Sequence, residues 1–499
     1  MPLIRTLTLT SVLALSAGPA LADLTAAEVW EEWQSTIESY GMDATFDRTS
    51  NTGSGIDIIG LSMGSSLPEG DVSFDVGTIN FIENGDGSVT ISMADEVPLV
   101  ANFKGDDGEE GTVTVTLNQP GASITASGSA DELRYVFDYP LIEISDFDIE
   151  AEDVPQDLPV DLAFVMRALK GSMDVTKGDI VSYTTESAID AIGIAFSFFD
   201  PSGEEGNFAF DLSMNDLRQS SSGTIGQVEM DMSLGQMVQG GTTQQGSGTH
   251  GSVAYNINVD SPDGSFQFAA TAASGEIWGG YSETGLAYGT LTNDAAMTIG
   301  GSTIPFPPLT FTMAQTSAEL SMPIIPSEDP QDFALGFSIL GMEIDDMIWA
   351  MIDAGGALPR DPINFVFKGS GSGVMSEDFM APNYLENPSP EVPGTLESVN
   401  VDELKLTIAG AELTGDGSFT FDNSTEMPVP AGIANLMLTG GNGLLDKLVG
   451  MGLVPEEQAM GARMMLGLFA RPGAGEDTLE STIELKEDGS VLANGQRIR

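Results

Sequence analysis

Apolar and polar residues alternate with a period of two along most of the chain, from about residue 71 onward. In one clear example, Val113, Val115 and Leu117 alternate with threonines. The same period recurs at 72–76, 89–93, 142–149, 208–214, 255–259, 266–270, 404–408 and 483–491. Such alternation is typical of antiparallel strands with one buried face. It predicts a mainly β (α+β) protein: a large antiparallel sheet, curved or elongated, with a few short helices packed on one face.

Turn sequences separate these runs. Asn84-Gly85-Asp86-Gly87 lies between two of them, and Asp488-Gly489 and Asn494-Gly495 punctuate the end of the chain. Asp-Gly and Asn-Gly pairs favour the tight turns of β-hairpins. The chain is therefore predicted to be mostly a β meander.

A helix is predicted close to the start. Thr25 and Glu28 have the spacing of a capping box, and Val29, Trp33 and Ile37 recur every four residues. Gly41 is a natural stop. We expect the apolar stripe to pack on the protein's own sheet; a docking face for a partner is the alternative.

Other helices are predicted as insertions between strands. Apolar residues are spaced for short helices at 162–169 and at 344–352. The last helix is predicted from Pro455 to Ala470, because a proline in the first turn and two following glutamates favour a helix start. Its apolar residues are expected to face inward, either as core or as the lining of an apolar cavity: Met460, Met464, Met465, Leu468 and Phe469.

The first 22 residues are typical of a secretory signal peptide. An apolar stretch at 7–17 precedes Ala20-Leu21-Ala22, so cleavage is expected between Ala22 and Asp23. The alternative, an uncleaved anchor, is disfavoured because about 20 apolar residues are needed to span a bilayer. The mature protein is therefore predicted to be periplasmic. The absence of cysteine excludes disulfides and a lipoprotein anchor.

The chain is strongly acidic, with 75 Asp and Glu against 17 Lys and Arg and a net charge of −58. This charge argues against nucleic acid and against anionic lipid head groups as partners. Adaptation to salt explains it more simply, and non-specific binding of divalent cations is compatible with it. No second membrane span is expected, because the apolar region at 431–470 is interrupted by glycines and charges.

The domain organisation is predicted from composition. Residues 23–381 form an N-terminal helix and a long β region with helical insertions, 382–393 are a Pro/Asn/Glu-rich connector, and 394–499 form a β-helix-helix-hairpin unit. One continuous fold is the alternative. The Gly/Ser/Thr/Gln-rich segment 239–251 is predicted to be a surface loop.

The sequence contains no recognisable catalytic or metal site. His250, the only histidine, lies in the segment predicted to be a loop, so no histidine-based triad or metal cluster is expected. Ser62 lies in a Gly-x-Ser-x-Gly pattern without the strand–turn–helix context of a hydrolase. Asp146, Asp148 and Glu150 alternate along a strand and are expected to be a solvated face rather than a calcium site. We therefore expect no enzyme activity, no cofactor and no specific metal.

The C-terminal third resembles a known family. The motifs are Val401–Leu406, Ala409–Gly417, Gly443–Leu448, Met451–Val454 and Asp488–Arg497. Together they resemble an uncharacterised, exported alphaproteobacterial family, the domain of unknown function family 2125. The segment Asp23–Tyr40 resembles the mature start of that family, so the resemblance is expected to cover the whole mature chain.

A weaker similarity, of the closing hairpin, is to other periplasmic β proteins of unknown function. Both similarities imply, by analogy of fold with β-groove envelope proteins, a role in lipid handling. The first functional hypothesis is a protein that binds or carries an apolar ligand, with Met460, Met464, Met465 and Phe469 as lining candidates. The alternative is a structural or interaction protein of the cell envelope, with another envelope protein as its partner.

Overall fold

The computed structural model describes residues 24–39, 42–67, 70–104, 110–151, 160–200, 206–226, 232–378, 380–381, 384, 394–424 and 428–499. Strands hold 65% and helices 12% of these residues. The predicted mainly β class is therefore confirmed. The signal segment with Ala22 and Asp23 lies outside the described residues. Among the helices of the described part, none is long and apolar enough to cross a membrane.

The elements follow one another as a meander. The helices are α1 (Ala26–Ser39), α2 (Leu234–Gln239), α3 (Asp346–Ile352), α4 (Gly441–Gly450) and α5 (Glu456–Phe469). The strands of the first half are β1 (Asp43–Thr45), β2 (Arg48–Thr52), β3 (Gly55–Leu67), β4 (Gly70–Glu83), β5 (Val89–Ser92), β6 (Glu96–Lys104), β7 (Glu110–Asn118), β8 (Ser123–Gly128), β9 (Glu132–Ala151), β10 (Val160–Thr176), β11 (Val181–Phe199), β12 (Asn207–Ile225), β13 (Thr243–His250) and β14 (Val253–Ser261). Those of the second half are β15 (Gly264–Ala272), β16 (Ser274–Ser282), β17 (Gly285–Gly300), β18 (Leu309–Met322), β19 (Gln331–Ile344), β20 (Ile363–Met375), β21 (Gly394–Ile408), β22 (Ala411–Asp422), β23 (Val429–Thr439), β24 (Arg471–Pro472), β25 (Thr478–Leu485), β26 (Val491–Ala493) and β27 (Gln496–Arg497).

All of these strands belong to one antiparallel sheet. At some positions in the meander, two short strands take the place of one long strand. Both β13 and β14 pair with β12. On their other side, β13 pairs with β16 and β14 pairs with β15. From β17 onward each strand pairs with its successor through β23, which then pairs with β25.

The N-terminal helix packs on this sheet as predicted. The capping box is formed: the Thr25 amide donates to Glu28 Oε2 at 2.9 Å, and the Glu28 amide donates to Thr25 Oγ1 at 3.3 Å. Val29 and Trp30 are buried against Phe81, whose side chain is fully enclosed. This contact makes the N-terminal end of the sheet a true two-layer core, and it confirms that the stripe packs on the protein's own sheet.

A tyrosine at the margin of this core is chemically perturbed. Burial, and secondarily the negative charge of Glu32, raises the pKa of Tyr135 to about 12. Glu32 itself forms an ion pair with Lys177, which ties α1 to the end of β10. Deprotonation of Tyr135 is therefore disfavoured at the margin of the helix–sheet contact.

A seam of left-handed residues crosses the sheet. Ala168 in β10, Asp216 in β12, Asp294 in β17 and Gly341 in β19 all have φ between 48° and 63°. The strand register on the two sides of the seam is unchanged between β10 and β11 and between β11 and β12. A left-handed residue interrupts the alternation of a strand. Consistent with this, the apolar residues of β10 other than Ala163 and Val165 stand at even positions up to Met166, and apolar residues stand at odd positions from Leu169 onward.

Two predicted elements are wrong. Residues 162–169 are not helical but lie in β10. At the left-handed Ala168 the apolar positions of this strand change from even to odd numbers, and this change produces spacings of three and four residues that are typical of a helix. The segment 239–251 is not a loop: most of it is β13, paired with β12 and β16. Small polar side chains suit a strand here because they bond across it, as Thr224 Oγ1 and Thr243 Oγ1 do at 2.8 Å.

The predicted connector 382–393 lies outside the described residues, apart from Tyr384. The strands on either side of it, β20 and β21, pair with each other along most of their length. The sheet therefore continues from one side of the connector to the other, and the domain boundaries stay a prediction.

Candidate apolar binding face

The register of the strands assembles an apolar surface on one side of the sheet. Directly paired residues of neighbouring strands lie on the same side of a sheet. One row runs across nine strands and contains only apolar residues and tyrosine: Ile144, Phe164, Ile194, Leu212, Tyr255, Ala270, Met297, Phe311 and Ile344. We call this row and its three parallel neighbours the apolar face.

The neighbouring rows have the same composition. The second row consists of Leu162, Phe196, Phe210, Ile257, Phe268, Ile299 and Leu309. The third consists of Ile142, Met166, Ile192, Met214, Val253 and Ala272, and the fourth of Val160, Phe198, Phe208, Val259 and Phe266. Ring contacts cross the strands, with centroids 5.9 Å apart for Phe196 and Phe208 and 5.6 Å apart for Tyr255 and Phe268.

The apolar face is only half-buried. All of its residues except the buried Ala270 are of intermediate exposure. Among the described residues, the closest packing partners of these strands are their hydrogen-bonded neighbours in the sheet. The side chains are therefore shielded mostly by one another, in contrast to Phe81 under α1.

The other side of the same strands is polar. Between the apolar residues of β14 stand Asn256, Asn258 and Asp260, and all three are exposed. Asp161 and Asp211 occupy the equivalent side of β10 and β12. This contrast shows that the apolar composition belongs to one face and is not a general property of these strands.

Beyond the seam, a second apolar group is still more exposed. Tyr288, Leu320 and Leu335 are cross-strand neighbours in β17, β18 and β19, and they are 38–51% exposed. Phe337 follows in β19 and contacts Phe365 with ring centroids 6.1 Å apart.

Three helices lie at one edge of the sheet. Because neighbouring strands are antiparallel, β19, β21 and β23 end at the same edge, which also receives the ends of β11, β14 and β17. We call it the helix edge, because α3 follows β19 and the α4–α5 pair follows β23. The apolar face occupies the parts of its strands next to this edge, for example Phe198 near the end of β11 and Ile344 at the end of β19.

A carboxylate from a distant segment caps α4. Asp477 Oδ2 accepts from the Gly443 amide at 2.8 Å and Oδ1 accepts from Asn442 Nδ2 at 2.8 Å. Burial alone would raise the pKa of Asp477, but the hydrogen bonds from Gly443 and Asn442 outweigh burial, and the pKa is lowered. The C-terminal end of α5 is fixed by the carbonyl of Phe469, which accepts hydrogen bonds from Ser481 Oγ at 2.6 Å and Asn494 Nδ2 at 2.9 Å.

The last helix has the predicted bounds but the opposite orientation. Its inner side consists of Ala459, Ala462 and Leu466, whereas the predicted lining residues Met460, Met464, Met465 and Phe469 are exposed, as is Leu468. The expectation that they face inward is wrong, because the small alanines allow the closest approach and take the contact side. Whether these residues meet an apolar ligand stays a prediction.

A wide groove lies on the polar side of the sheet. It has a volume of about 950 Å³, and Arg134, Lys170 and Trp278 are among its lining residues. Arg134 pairs with Asp174 at 2.6 Å and Lys170 with Asp138 at 3.1 Å. Since Glu186 and Glu276 also line the groove, its cations are balanced by acids and do not form an anion site.

The residues considered for catalysis or metal binding are not brought together. His250 ends β13 and its Nδ1 is 2.8 Å from the Gly251 carbonyl oxygen. Ser62 lies inside β3, without the turn of a nucleophile elbow. Asp146, Asp148 and Glu150 are exposed on β9, and Asp146 has a left-handed backbone. Within the described ranges, no group of acidic and histidine side chains could hold a metal ion.

The comparisons with known proteins identify one family. Residues 293–497 match a family described as "Uncharacterized protein conserved in bacteria (DUF2125)". This confirms the resemblance found in the C-terminal motifs. The expectation that it extends over the whole mature chain stays a prediction, since the match begins at residue 293. Searches of curated proteins and of solved structures found no match.

Proposed function

We propose that this protein binds an apolar ligand, such as the acyl chains of a lipid, against the apolar face of its sheet. The ligand lies across the strands and is held without catalysis, and neither a cofactor nor a specific metal ion takes part. The protein acts in the periplasm after cleavage between Ala22 and Asp23. Its partners are a lipid or an envelope protein that delivers one.

The observation that supports this proposal is the apolar face itself, whose side chains are only half-buried. Nine strands about 4.8 Å apart and four rows about 7 Å apart give it an area of roughly 800 Å². The largest apolar patch on a typical monomer is about 300–600 Å² and is often functional. A surface of this size needs a cover, and an acyl chain supplies one without requiring polar partners.

The chemistry of the face also favours an apolar chain over a polar ligand. The side chains of the four rows offer no polar group except the hydroxyl of Tyr255. A ligand held here gains from burial of apolar area, at about 25 cal/mol per Å². Binding is therefore expected to depend on chain length rather than on a particular head group.

The test uses two neighbouring positions on opposite sides of β14. Ile257 lies in the second row between Phe210 and Phe268, whereas Asn258 is exposed on the polar side. Ile257→Gln places an amide in the apolar face and is expected to weaken binding of a fluorescent fatty acid about tenfold or more, because an unpaired amide in an apolar contact costs about 1–3 kcal/mol. Asn258→Gln is the control and should bind as the wild type does.

Lipid content gives an independent measurement. Wild-type protein from its own periplasm should carry lipid in native mass spectrometry, and the Ile257→Gln protein should carry less. If the wild type neither carries lipid nor binds the fatty acid, the proposal is wrong, and a structural role in the envelope takes its place. The same preparation tests location: the mature chain should start at Asp23, and full-length chain in the inner membrane would contradict export.

A further inference from the structure

The outer side of α5 is an exposed apolar stripe. Met460, Met464 and Leu468 stand at intervals of four residues, which places them on one line along the helix. Met464 is 76% exposed, and the other two are more than half exposed. Met465 and Phe469 widen the stripe on one side. A helix of 14 residues is about 21 Å long, so the stripe extends along most of its length.

A second helix at the same edge repeats this feature. Met347, Met351 and Ile352 of α3 are exposed. Local hydrogen bonds cap both ends of this helix: the Met347 amide donates to Asp345 Oδ1 at 2.7 Å, and the buried Asp353 carboxylate accepts from the Leu358 amide at 2.8 Å. Two helices therefore expose methionine and aliphatic side chains at the edge that borders the apolar face.

The composition of the stripe argues against a specific protein partner. The residues that contribute most of the binding energy in protein interfaces are enriched in Trp, Tyr and Arg, whereas Leu is under-represented. The stripe has one aromatic residue, Phe469, and the nearby Arg463 is engaged with Asp446. A second copy of the chain is disfavoured as well, because each copy carries a net charge of −58.

The charge also selects among lipid surfaces. Interfacial helices usually carry Lys and Arg on their polar side, which attract anionic lipids. By contrast, α5 begins with Glu456 and Glu457, and the whole chain repels anionic head groups. A bilayer with zwitterionic head groups accepts the apolar stripe without this repulsion.

We propose that α5, assisted by α3, docks the helix edge on the surface of a zwitterionic phospholipid bilayer, from which acyl chains reach the apolar face. This inference rests on the proposed function, since it gives the apolar face its source of ligand. Methionine suits such a contact because its flexible, polarisable side chain adapts to an irregular apolar surface.

The experiment is co-sedimentation of the full mature chain with phosphatidylcholine vesicles. The wild type should bind, and replacing part of the phosphatidylcholine by phosphatidylglycerol should weaken binding at low salt. The double variant Met464→Ser/Leu468→Ser should bind at least about tenfold more weakly, because two apolar side chains are lost from the contact. Gln458→Ser, an exposed polar position on the same helix, is the matched control and should bind like the wild type.

The fluorescent fatty acid separates this inference from the proposed function. The α5 double variant should retain fatty-acid binding and the circular dichroism of the wild type, since its changes lie outside the apolar face. If the wild type does not bind vesicles, or if the double variant binds them as strongly as the wild type, the docking proposal is wrong. The ligand proposal is not affected by either result. A wild-type dimer that the double variant dissociates, seen by analytical ultracentrifugation, would overturn it in favour of self-association.

Discussion

Phenylalanine-to-alanine substitutions on the two kinds of surface should have clearly different effects on stability. Phe81 is fully buried between α1 and the sheet, whereas Phe337 leaves 42% of its surface exposed on an uncovered part of the sheet. If the apolar surface beyond the N-terminal core truly lacks a second layer, Phe81→Ala must be the more destabilising change.

The magnitudes follow from the exposed fractions. A phenylalanine presents roughly 200 Å² of apolar area, and at about 25 cal/mol per Å² full burial contributes about 5 kcal/mol. Phe81→Ala leaves a closed cavity between helix and sheet and should cost about 3–5 kcal/mol. Phe337 buries a little over half of its area and leaves a site open to water, so its replacement should cost about 1–2 kcal/mol.

The assay is urea denaturation followed by far-ultraviolet circular dichroism. The shift of the urea midpoint should be two to three times larger for Phe81→Ala than for Phe337→Ala, as the ratio of these free energies requires. Equal shifts would mean that Phe337 is covered as completely as Phe81, and the concept of an uncovered apolar surface would have to be abandoned.

Three further predictions concern charge. Because its pKa is lowered, Asp477 stabilises the folded state at pH values above the ordinary aspartate range, and this stabilisation is lost as the pH falls through the folded pKa. Asp477→Asn should therefore lower the melting temperature at pH 7 and flatten its decline towards pH 3. An unchanged acid profile would exclude a role for this cap. The pKa of about 12 for Tyr135 means that its stabilisation is complete below pH 10 and is lost between pH 10 and 12; Tyr135→Phe should remove part of the alkaline destabilisation in thermal melts, whereas an identical alkaline limb would contradict the shift. The melting temperature should rise between about 10 mM and 500 mM NaCl, because salt screens the repulsion within a chain of net charge −58; Ca²⁺ should match Na⁺ at equal ionic strength, and a larger effect of Ca²⁺ would reveal a specific site.

The sequence predicts those features that local patterns determine. The capping box of α1, the start of α5 within one residue of Pro455 and the class of the sheet depend on neighbouring residues, and all of them are confirmed. The closing turn is also local: Asn494 and Gly495 both have positive φ, as an Asn-Gly hairpin requires.

The candidate site depends on what lies over a surface, which local patterns do not report. Alternation in β12 or β14 indicates that one face of a strand is apolar, but a covered face and an open face have the same alternation. Strand register is needed to see that Phe210, Ile257 and Phe268 form one row. The orientation of α5 is not predictable for a related reason: an apolar stripe alone does not show whether it is covered, and the contact is made by Ala459 and Ala462.

The wrong helix at 162–169 leads to the last prediction, because its cause is the seam itself. Ala168 holds a left-handed backbone, with φ of 53°, in the interior of β10. This conformation costs a non-glycine residue about 1–2 kcal/mol, whereas glycine adopts it freely. Ala168→Gly should therefore be neutral or stabilising by up to about 1 kcal/mol.

The matched control for this change is Ala163→Gly in the same strand. Ala163 is exposed in a regular part of β10, where its partner in β11 is Ala195. Glycine there should cost about 0.5–1 kcal/mol, because it only adds flexibility to the unfolded chain. The two urea midpoints should consequently move in opposite directions or differ by about 1–2 kcal/mol in free energy. If both substitutions destabilise equally, Ala168 is an ordinary strand residue, and the change in parity of the apolar positions at this point would lose its physical explanation.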